Sequence, residues 1–128
     1  MSKQYELLPR VAHIQTEKYS GDVFEVVLNV GAADNVKVGA RFLIFGLGPD
    51  ILDPVSGESL GQLELVRGRA AVTHLQAKIC VVRSIEKEIV APPKVTRNTF
   101  GMSVTEESAE THERALRDPV VGDYAKPI

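Results

Sequence analysis

Glycine spacing is the feature that most restricts the fold of this chain. Ten glycines occur among the 128 residues, and eight of them lie within one 48-residue stretch, between short apolar runs. Glycine has no Cβ atom, so it adopts the positive φ angles that tight turns and bulges need. Short apolar runs separated by such residues are typical of strands joined by turns. The pattern therefore predicts an all-β fold.

The first two predicted strands form a hairpin. Residues 22–30 alternate between polar and apolar, with Phe24, Val26, Leu28 and Val30 on one apolar face, and residues 10–16 alternate before them. Period-two alternation is typical of a half-buried strand. A polar link, residues 17–21, separates the two segments and contains Ser-Gly, which favours a turn.

The middle of the chain predicts further strands and one long loop. The short apolar run from Phe42 to Phe45 indicates a buried strand. Residues 46–61 are dense in Gly, Pro, Asp and Ser, which favours a structured loop. Gly68 then interrupts the apolar runs of residues 62–85, which predicts either one long bent strand or two consecutive strands. A return strand is expected through Cys80 and Val82.

Residues 87–118 differ in composition from the rest of the chain. Pro92-Pro93 predicts an extended linker. Ser103-Val-Thr-Glu106 has the spacing of a helix capping box, and Arg114 and Arg117 follow where a helix dipole favours cations. A short charged helix is therefore expected from about Thr105 to Arg117.

These segments together predict one domain, residues 1–128. Its fold is expected to be a small closed or partly open β-barrel of about six antiparallel strands. Residues 87–118, the linker and the charged helix, are inserted before a last strand, which lies in residues 118–128 and includes Val-Val-Gly-Asp-Tyr-Ala.

Charge and cysteine content exclude several classes of protein. Lys and Arg total 15 and Asp and Glu total 17, so the net charge of −2 creates no long-range field that would collect nucleic acid or anionic membrane. A single cysteine, Cys80, excludes an intramolecular disulfide and a thiolate-rich zinc site. No apolar run is long enough for a signal peptide or a membrane span, so a cytoplasmic location is expected.

The stretch from Val26 to Arg83 resembles the C-terminal domain of the flagellar assembly protein T family. The residues that carry the resemblance are Val38-Gly39, Phe42-Leu-Ile-Phe45, Ile51-Leu-Asp-Pro-Val-Ser-Gly-Glu58, Leu60-Gly61 and the apolar strands to Val82, with Val120 to Tyr124 similar to the family's last strand. Ser56 stands where the family has threonine, and residues 87–118 are an insertion relative to the family. The resemblance implies a small β-barrel without known catalytic activity that serves the assembly of a ring around the flagellar motor.

The usual signatures of chemistry are missing from the sequence. His13, His74 and His112 have no metal-ligand spacing to one another or to Cys80, so no metal site and no cofactor are expected. Cys80 lies in an apolar strand, where burial makes a thiol inert. Gly46-Leu-Gly48-Pro lacks the lysine and the following helix of a phosphate loop.

Two pairs of polar residues are the candidate binding residues. Asp53 and Glu58 lie on the 46–61 loop, where together with Asp50 they would suit a hard cation such as Ca²⁺. Arg67 and Arg69 flank the Gly68 bend, and small barrels bind single-stranded nucleic acid by combining such cations with aromatic stacking platforms. The aromatic residues outside the predicted core are Tyr5, Tyr19, Phe100 and Tyr124.

With no convergent catalytic set, the sequence predicts a non-enzymatic interaction or assembly module. Its expected partner is another protein or a second copy of the chain, giving a homo-oligomer. The alternative is a barrel that binds a ligand or single-stranded nucleic acid through the 46–61 loop and the Arg67/Arg69 bend.

Overall fold

A computed structural model describes residues 3–91, 94–97, 104–107 and 110–128. Six of its strands form one antiparallel sheet: β1 (Val11–Thr16), β2 (Val23–Leu28), β3 (Arg41–Leu52), β4 (Ser59–Leu75), β5 (Cys80–Ser84) and β10 (Tyr124–Pro127). Their order in the sheet is β1-β2-β5-β4-β3-β10. The all-β prediction and the number of strands are confirmed. Two short 3-10 turns, Lys3–Tyr5 and Ala32–Asp34, complete this part of the chain.

The core lies on the apolar face of this sheet. Strands β1 and β2 form the predicted hairpin, and β5 returns beside β2 so that Val26 pairs with Val82. Val26, Leu28 and Val82 are fully buried, as the period-two pattern requires. Ile44 from β3, Val72 from β4 and Ala125 from β10 extend the same core cluster.

Strand β4 is one long strand with a bulge at Arg67. Ile44 of β3 pairs with Gly68, but its neighbour Phe45 pairs with Val66, so Arg67 has no register partner. Gly68 has a φ of +149°, and a Cβ atom on it would lie 2.8 Å from Cδ2 of Leu116. The glycine therefore allows both the bulge geometry and the close approach of Leu116. Of the two alternatives for this region, the single bent strand is the one observed.

The predicted loop over residues 46–61 is wrong. β3 continues to Leu52 and β4 begins at Ser59, so only residues 53–58 form a turn. Glycines in this stretch are read as turn formers, but Gly48 lies inside β3, where a Cβ atom would come within 3.2 Å of the Leu65 side chain. The glycine makes room for a side chain on the facing strand. Residues 47–65 form a two-stranded hairpin, which we call the arm.

The predicted helix from Thr105 to Arg117 is also wrong. In its place are β8 (Val104–Glu107) and β9 (Glu110–Glu113), which pair antiparallel with β7 (Lys94–Arg97) and β6 (Lys87–Ala91). Several positions of β7 and β8 are β-branched, which favours strands, and the predicted helix has only a weak apolar face. The capping residues and the order of charges favour a helix locally, but the pairing of these residues with β6 and β7 determines their structure. We call β6 to β9 the ribbon; Pro92-Pro93 lies outside the described residues.

Arg83 fastens the base of the ribbon to the sheet. Its Nε donates to Glu113 Oε2 at 2.7 Å, and its Nη1 donates to Glu25 Oε1 at 2.6 Å. The hydrogen bond to Glu113 is the main cause of a raised pKa for Arg83, with the bond to Glu25 adding to it. The guanidinium is charged throughout the ordinary pH range, so it can join the ribbon to the sheet wherever both carboxylates are ionised.

The last strand is shorter than the sequence predicts. It begins at Tyr124, and residues 118–123 are irregular, with a positive φ at Gly122. β10 pairs with the first part of β3, from Tyr124 opposite Phe45 to Pro127 opposite Phe42. Within the described residues, no helix has the length and apolar character that crossing a membrane requires.

Candidate functional site

The arm projects from the sheet as an isolated pair of strands. β10 pairs with β3 only up to Phe45, and β5 pairs with β4 only from Ala70 onward. Between these limits and the turn, the described strands pair with each other alone. At its base, Glu64 accepts hydrogen bonds from Lys126 Nζ at 2.7 Å and from the Tyr5 hydroxyl at 3.2 Å. These bonds hold the base of the arm, and no other strand pairs with its outer part among the described residues.

Large apolar side chains on the arm are exposed to solvent. The exposed fraction reaches 93% for Val55 at the turn, 65% for Leu60 and 58% for Leu52. Ile51, Leu63 and Leu65 are also exposed. Neighbouring apolar side chains that are exposed together mark surfaces that other molecules cover, whereas single ones are common on any surface. The arm is therefore the main candidate for a binding surface.

The arm is also acidic throughout. It carries Asp50, Asp53, Glu58 and Glu64, and the chain has no Lys, Arg or His between residues 42 and 66. Asp50 accepts a hydrogen bond from the Ser59 hydroxyl at 2.7 Å across the two strands. Only Glu64 has an ion-pair partner, Lys126, among the described residues. The outer part of the arm therefore presents an apolar surface with uncompensated negative charge.

Asp53 shapes the turn at the end of the arm. Its carboxylate accepts the Val55 amide hydrogen at 2.8 Å, and its backbone amide donates to the Glu58 carbonyl at 2.8 Å. The hydrogen bond from the Val55 amide lowers the pKa of Asp53, because it favours the charged form. A lowered pKa means that the carboxylate stabilises the turn above the ordinary pKa and that this contribution is lost as the pH falls through the folded value.

Of the two arginines predicted to bind a ligand, Arg67 serves the fold. Its Nε donates to Asp123 Oδ2 at 3.1 Å, and Asp123 is only 4% exposed. Gly46 of β3 lies beside this ion pair, and a Cβ atom there would meet the Arg67 guanidinium at 2.7 Å and the Asp123 carboxylate at 2.9 Å. Gly46 thus leaves room for the ion pair, in which Asp123 engages the Arg67 guanidinium.

Arg69 lies instead in an open cleft lined mainly by cations. We call it the basic cleft; its charged residues are Arg41, Arg69, Glu86, Lys87, Arg114 and Arg117. Its volume is about 520 Å³, and the exposed Ile85 lies in its lining. The start of β3, the middle of β4, the start of the ribbon and residues 114–117 meet here. Their backbones are joined by bonds such as Arg114 N–H to the Glu86 carbonyl at 2.9 Å.

Glu86 neutralises only part of this charge. It lies 3.5 Å from Arg69 Nε and 3.6 Å from Arg117 Nη1, and it also accepts the Arg69 amide hydrogen. In the described part of the chain, Arg41, Lys87 and Arg114 have no carboxylate within ion-pair distance. The cleft therefore has the charge to receive an anionic group.

The aromatic side chains do not form a stacking platform beside the cleft. Tyr5, Phe45 and Tyr124 contact one another, with ring centroids 5.5 to 5.8 Å apart, and Tyr5 is only 5% exposed. Arg10 lies over the Tyr124 ring at 4.5 Å. Tyr19 is exposed elsewhere, on the link between β1 and β2, and Phe100 lies outside the described residues.

The groups considered for metal binding or catalysis form no metal-binding cluster in the part of the chain that the structure describes. Among the described residues, no three His, Cys, Asp or Glu side chains come together in a way that could hold a metal ion. Cys80 is fully buried, and desolvation raises the pKa of its thiol, which disfavours the reactive thiolate.

The four predicted binding residues therefore divide between two surfaces and the interior. Asp53 and Glu58 lie at the end of the arm, Arg69 lies in the basic cleft, and Arg67 lies in a buried ion pair. The sequence analysis missed Arg41, Arg114 and Arg117 as members of the cleft, because they are far apart in the chain and meet only through sheet pairing. It also missed the arm, although the absence of basic residues from 42 to 66 was visible. Comparisons of this chain with protein-family models, curated proteins and solved structures give no match.

Proposed function

We propose that this protein is a non-enzymatic assembly module that associates with further copies of itself through the arm. The observation that carries the proposal is the cluster of exposed apolar side chains on the arm, with Val55, Leu60 and Leu52 each more than half exposed. At about 25 cal/mol per Å² of apolar surface removed from water, covering several such side chains supplies the driving force for association.

The isolation of the arm supports the same proposal. A two-stranded hairpin is marginally stable in water unless another layer covers one of its faces. The arm extends past the last hydrogen bonds to β10 and β5, so its outer part has no such layer within the described chain. A partner that covers the arm would stabilise it as well as bind it.

We also infer that the six-stranded sheet closes into a barrel. Residues just before β1 reach the opposite edge of the sheet, where Arg10 forms a β-bridge with Tyr124. Val11 N–H donates to the Asp123 carbonyl at 2.7 Å, and Ala125 N–H donates to the Pro9 carbonyl at 2.9 Å. Closure would remove the open edges of the sheet, so association would use the arm and not edge-to-edge pairing of the body.

The resemblance to the C-terminal domain of the flagellar assembly protein T family supports an assembly role of this kind. It covers about residues 26–83, which include the whole arm. A barrel scaffold can serve unrelated partners, so the proposal rests on the arm itself, and a role at a flagellar motor is a further proposal from the resemblance.

The proposal is tested by the mass of the protein in solution as its concentration rises. In sedimentation velocity, the wild type is expected to exceed the monomer mass of 14.0 kDa. A variant with Val55→Ser, Leu60→Ser and Leu63→Ser removes apolar surface from the arm without touching the core. Its association should be weakened by at least about tenfold, the factor that corresponds to about 1.4 kcal/mol.

A matched control changes three exposed apolar residues outside the arm: Leu7→Ser, Val120→Ser and Val121→Ser. This variant should associate like the wild type, and circular dichroism should show both variants folded. A wild type that stays monomeric at every concentration would refute self-association. Equal weakening in both variants would show that the arm has no special role.

A further inference from the structure

We infer that the end of the arm of one copy docks into the basic cleft of the next copy. This inference rests on the proposed function and names the acceptor surface for the arm. It makes the contact heterologous, with two different surfaces joined, so that each copy has one donor end and one acceptor end.

Charge complementarity is the first argument for this pairing. The outer arm carries Asp50, Asp53 and Glu58 and has no cation. The basic cleft carries five cations against the single carboxylate of Glu86, and the described residues place no ion-pair partner beside Arg41, Lys87 or Arg114. Opposite potentials on two surfaces steer their encounter and fix their relative orientation.

The apolar groups of the two surfaces also match. Val55 is 93% exposed at the end of the arm, between Asp53 and Glu58. Ile85 is 38% exposed in the lining of the basic cleft, among the cations. An apolar centre surrounded by charged groups is the usual arrangement of a small protein interface.

The arm cannot fill the cleft of its own molecule. Arg41 begins β3 and lines the cleft, whereas Leu52 ends β3 beside the turn. With 12 residues and a rise of about 3.3 Å per residue, the two ends of this strand lie roughly 35 Å apart. Since β3 is paired with β4 along this length, it cannot fold back, and the occupant must come from another copy.

A peptide arm fits the cleft better than a nucleic acid does. Proteins that bind single strands place aromatic rings beside their cations, so that bases stack on them. The described lining of the basic cleft has no aromatic residue on which a base could stack. A β-hairpin end with separate carboxylates suits a cleft in which one carboxylate already lies between two arginines.

Two charge-reversed variants test the pairing. The cleft variant carries Arg41→Glu and Arg114→Glu, and the arm variant carries Val55→Lys and Glu58→Lys; all four positions are exposed. Each pair of substitutions brings the net charge of its surface to zero, so each variant alone should associate at least about tenfold more weakly than the wild type. Mixed in equal amounts, the unchanged arm of the cleft variant meets the unchanged cleft of the arm variant, and sedimentation velocity should show the two variants associating in pairs.

A matched control reverses two exposed cations outside both surfaces, Lys37→Glu and Lys78→Glu, and should associate like the wild type. If the wild type associates and the serine variant of the arm does not, but the cleft variant associates normally, the arm has another acceptor. That result overturns the inference and leaves the proposed function intact. Charge-reversed variants that stay monomeric when mixed, with circular dichroism showing both folded, also overturn it.

Titration of a single-stranded oligonucleotide into the wild type at physiological salt tests whether the basic cleft binds nucleic acid instead of the arm. We expect no binding that depends on Arg41 and Arg114. The contrary result is a wild type that stays monomeric and binds the oligonucleotide tightly, with this binding lost in the cleft variant. It would assign the cleft to nucleic acid and overturn both proposals.

Discussion

Asp123 is the side chain that ties the C-terminal strand to the centre of the sheet. Its Oδ2 accepts from Arg67 Nε at 3.1 Å and from the Val120 amide at 2.8 Å, and the carboxylate is almost completely buried. Asp123→Ala leaves Arg67 without its partner, and we expect it to lower the free energy of unfolding by about 3 kcal/mol, as for other buried ion pairs that lose one member. Urea denaturation measures this loss.

The conservative change Asp123→Asn is the control for that variant. Asparagine keeps one oxygen that can accept the Val120 amide hydrogen, and it removes the charge and replaces the other carboxylate oxygen with an NH₂ group. Its loss of stability should be clearly smaller than that of Asp123→Ala. Equal and small losses in both variants would show that the ion pair with Arg67 contributes little to the fold.

For single residues, the sequence shows which chemical groups are present, but it does not show which residues contact one another in the fold. Arg67 and Arg69 lie two positions apart and look equivalent as candidate ligand residues. The bulge at Arg67 separates them, because it directs one toward Asp123 and leaves the other in the basic cleft. Asp123 is 56 residues away in the chain, so no local pattern could indicate this contact.

Strand β4 bends at Gly68, and the contribution of this glycine to stability can be measured by comparing it with a second glycine of the same strand. Gly68→Ala meets two obstacles: a φ of +149° and Leu116, whose Cδ2 would lie 2.8 Å from the new methyl group. Gly61→Ala, on the same strand, meets only the positive φ of +106°, since nothing lies within 4 Å. We expect a loss of about 1 kcal/mol for Gly61→Ala and about 3 kcal/mol for Gly68→Ala in thermal or urea unfolding.

The difference between the two glycine variants isolates the contact with Leu116. Equal losses would mean that the chain near Leu116 moves away at no cost, and that Gly68 matters only through its backbone angle.

The strands that were predicted correctly are those with clear alternation. β1, β2 and β5 have alternating or continuous apolar residues and a buried face, and short links join β1 to β2 and β4 to β5. The pairing of β2 with β5 is long-range, because β3 and β4 lie between them in the chain. The arm was predicted as a loop because its Gly and Pro residues lie inside strands that have no covering layer. The second half of the ribbon was predicted as a helix, from about Thr105 to Arg117, because capping residues and charge order are local signals. The pairing of β8 and β9 depends instead on β7 and β6, which lie earlier in the chain.

The whole molecule combines a packed sheet with a projecting arm. Exposed apolar residues and negative charge collect on the arm, and cations collect in a cleft roughly 35 Å away at the other end of the same hairpin. A molecule with complementary surfaces at two ends forms rings or open chains by repeating one contact. The net charge of the chain is near zero and does not indicate that negative and positive residues lie on different surfaces. The fold shows where each group of charges lies.

Concentration-dependent methyl NMR tests the role of the arm most directly. As the protein concentration rises from micromolar to millimolar, the methyl signals of Val55, Leu60 and Leu63 should shift or broaden as these side chains become covered. The signals of Val26 and Ile44, which are fully buried in the core, should stay unchanged and serve as the internal control. Arm methyl signals that stay unchanged over the whole range, or that change no more than the core signals, would contradict the account.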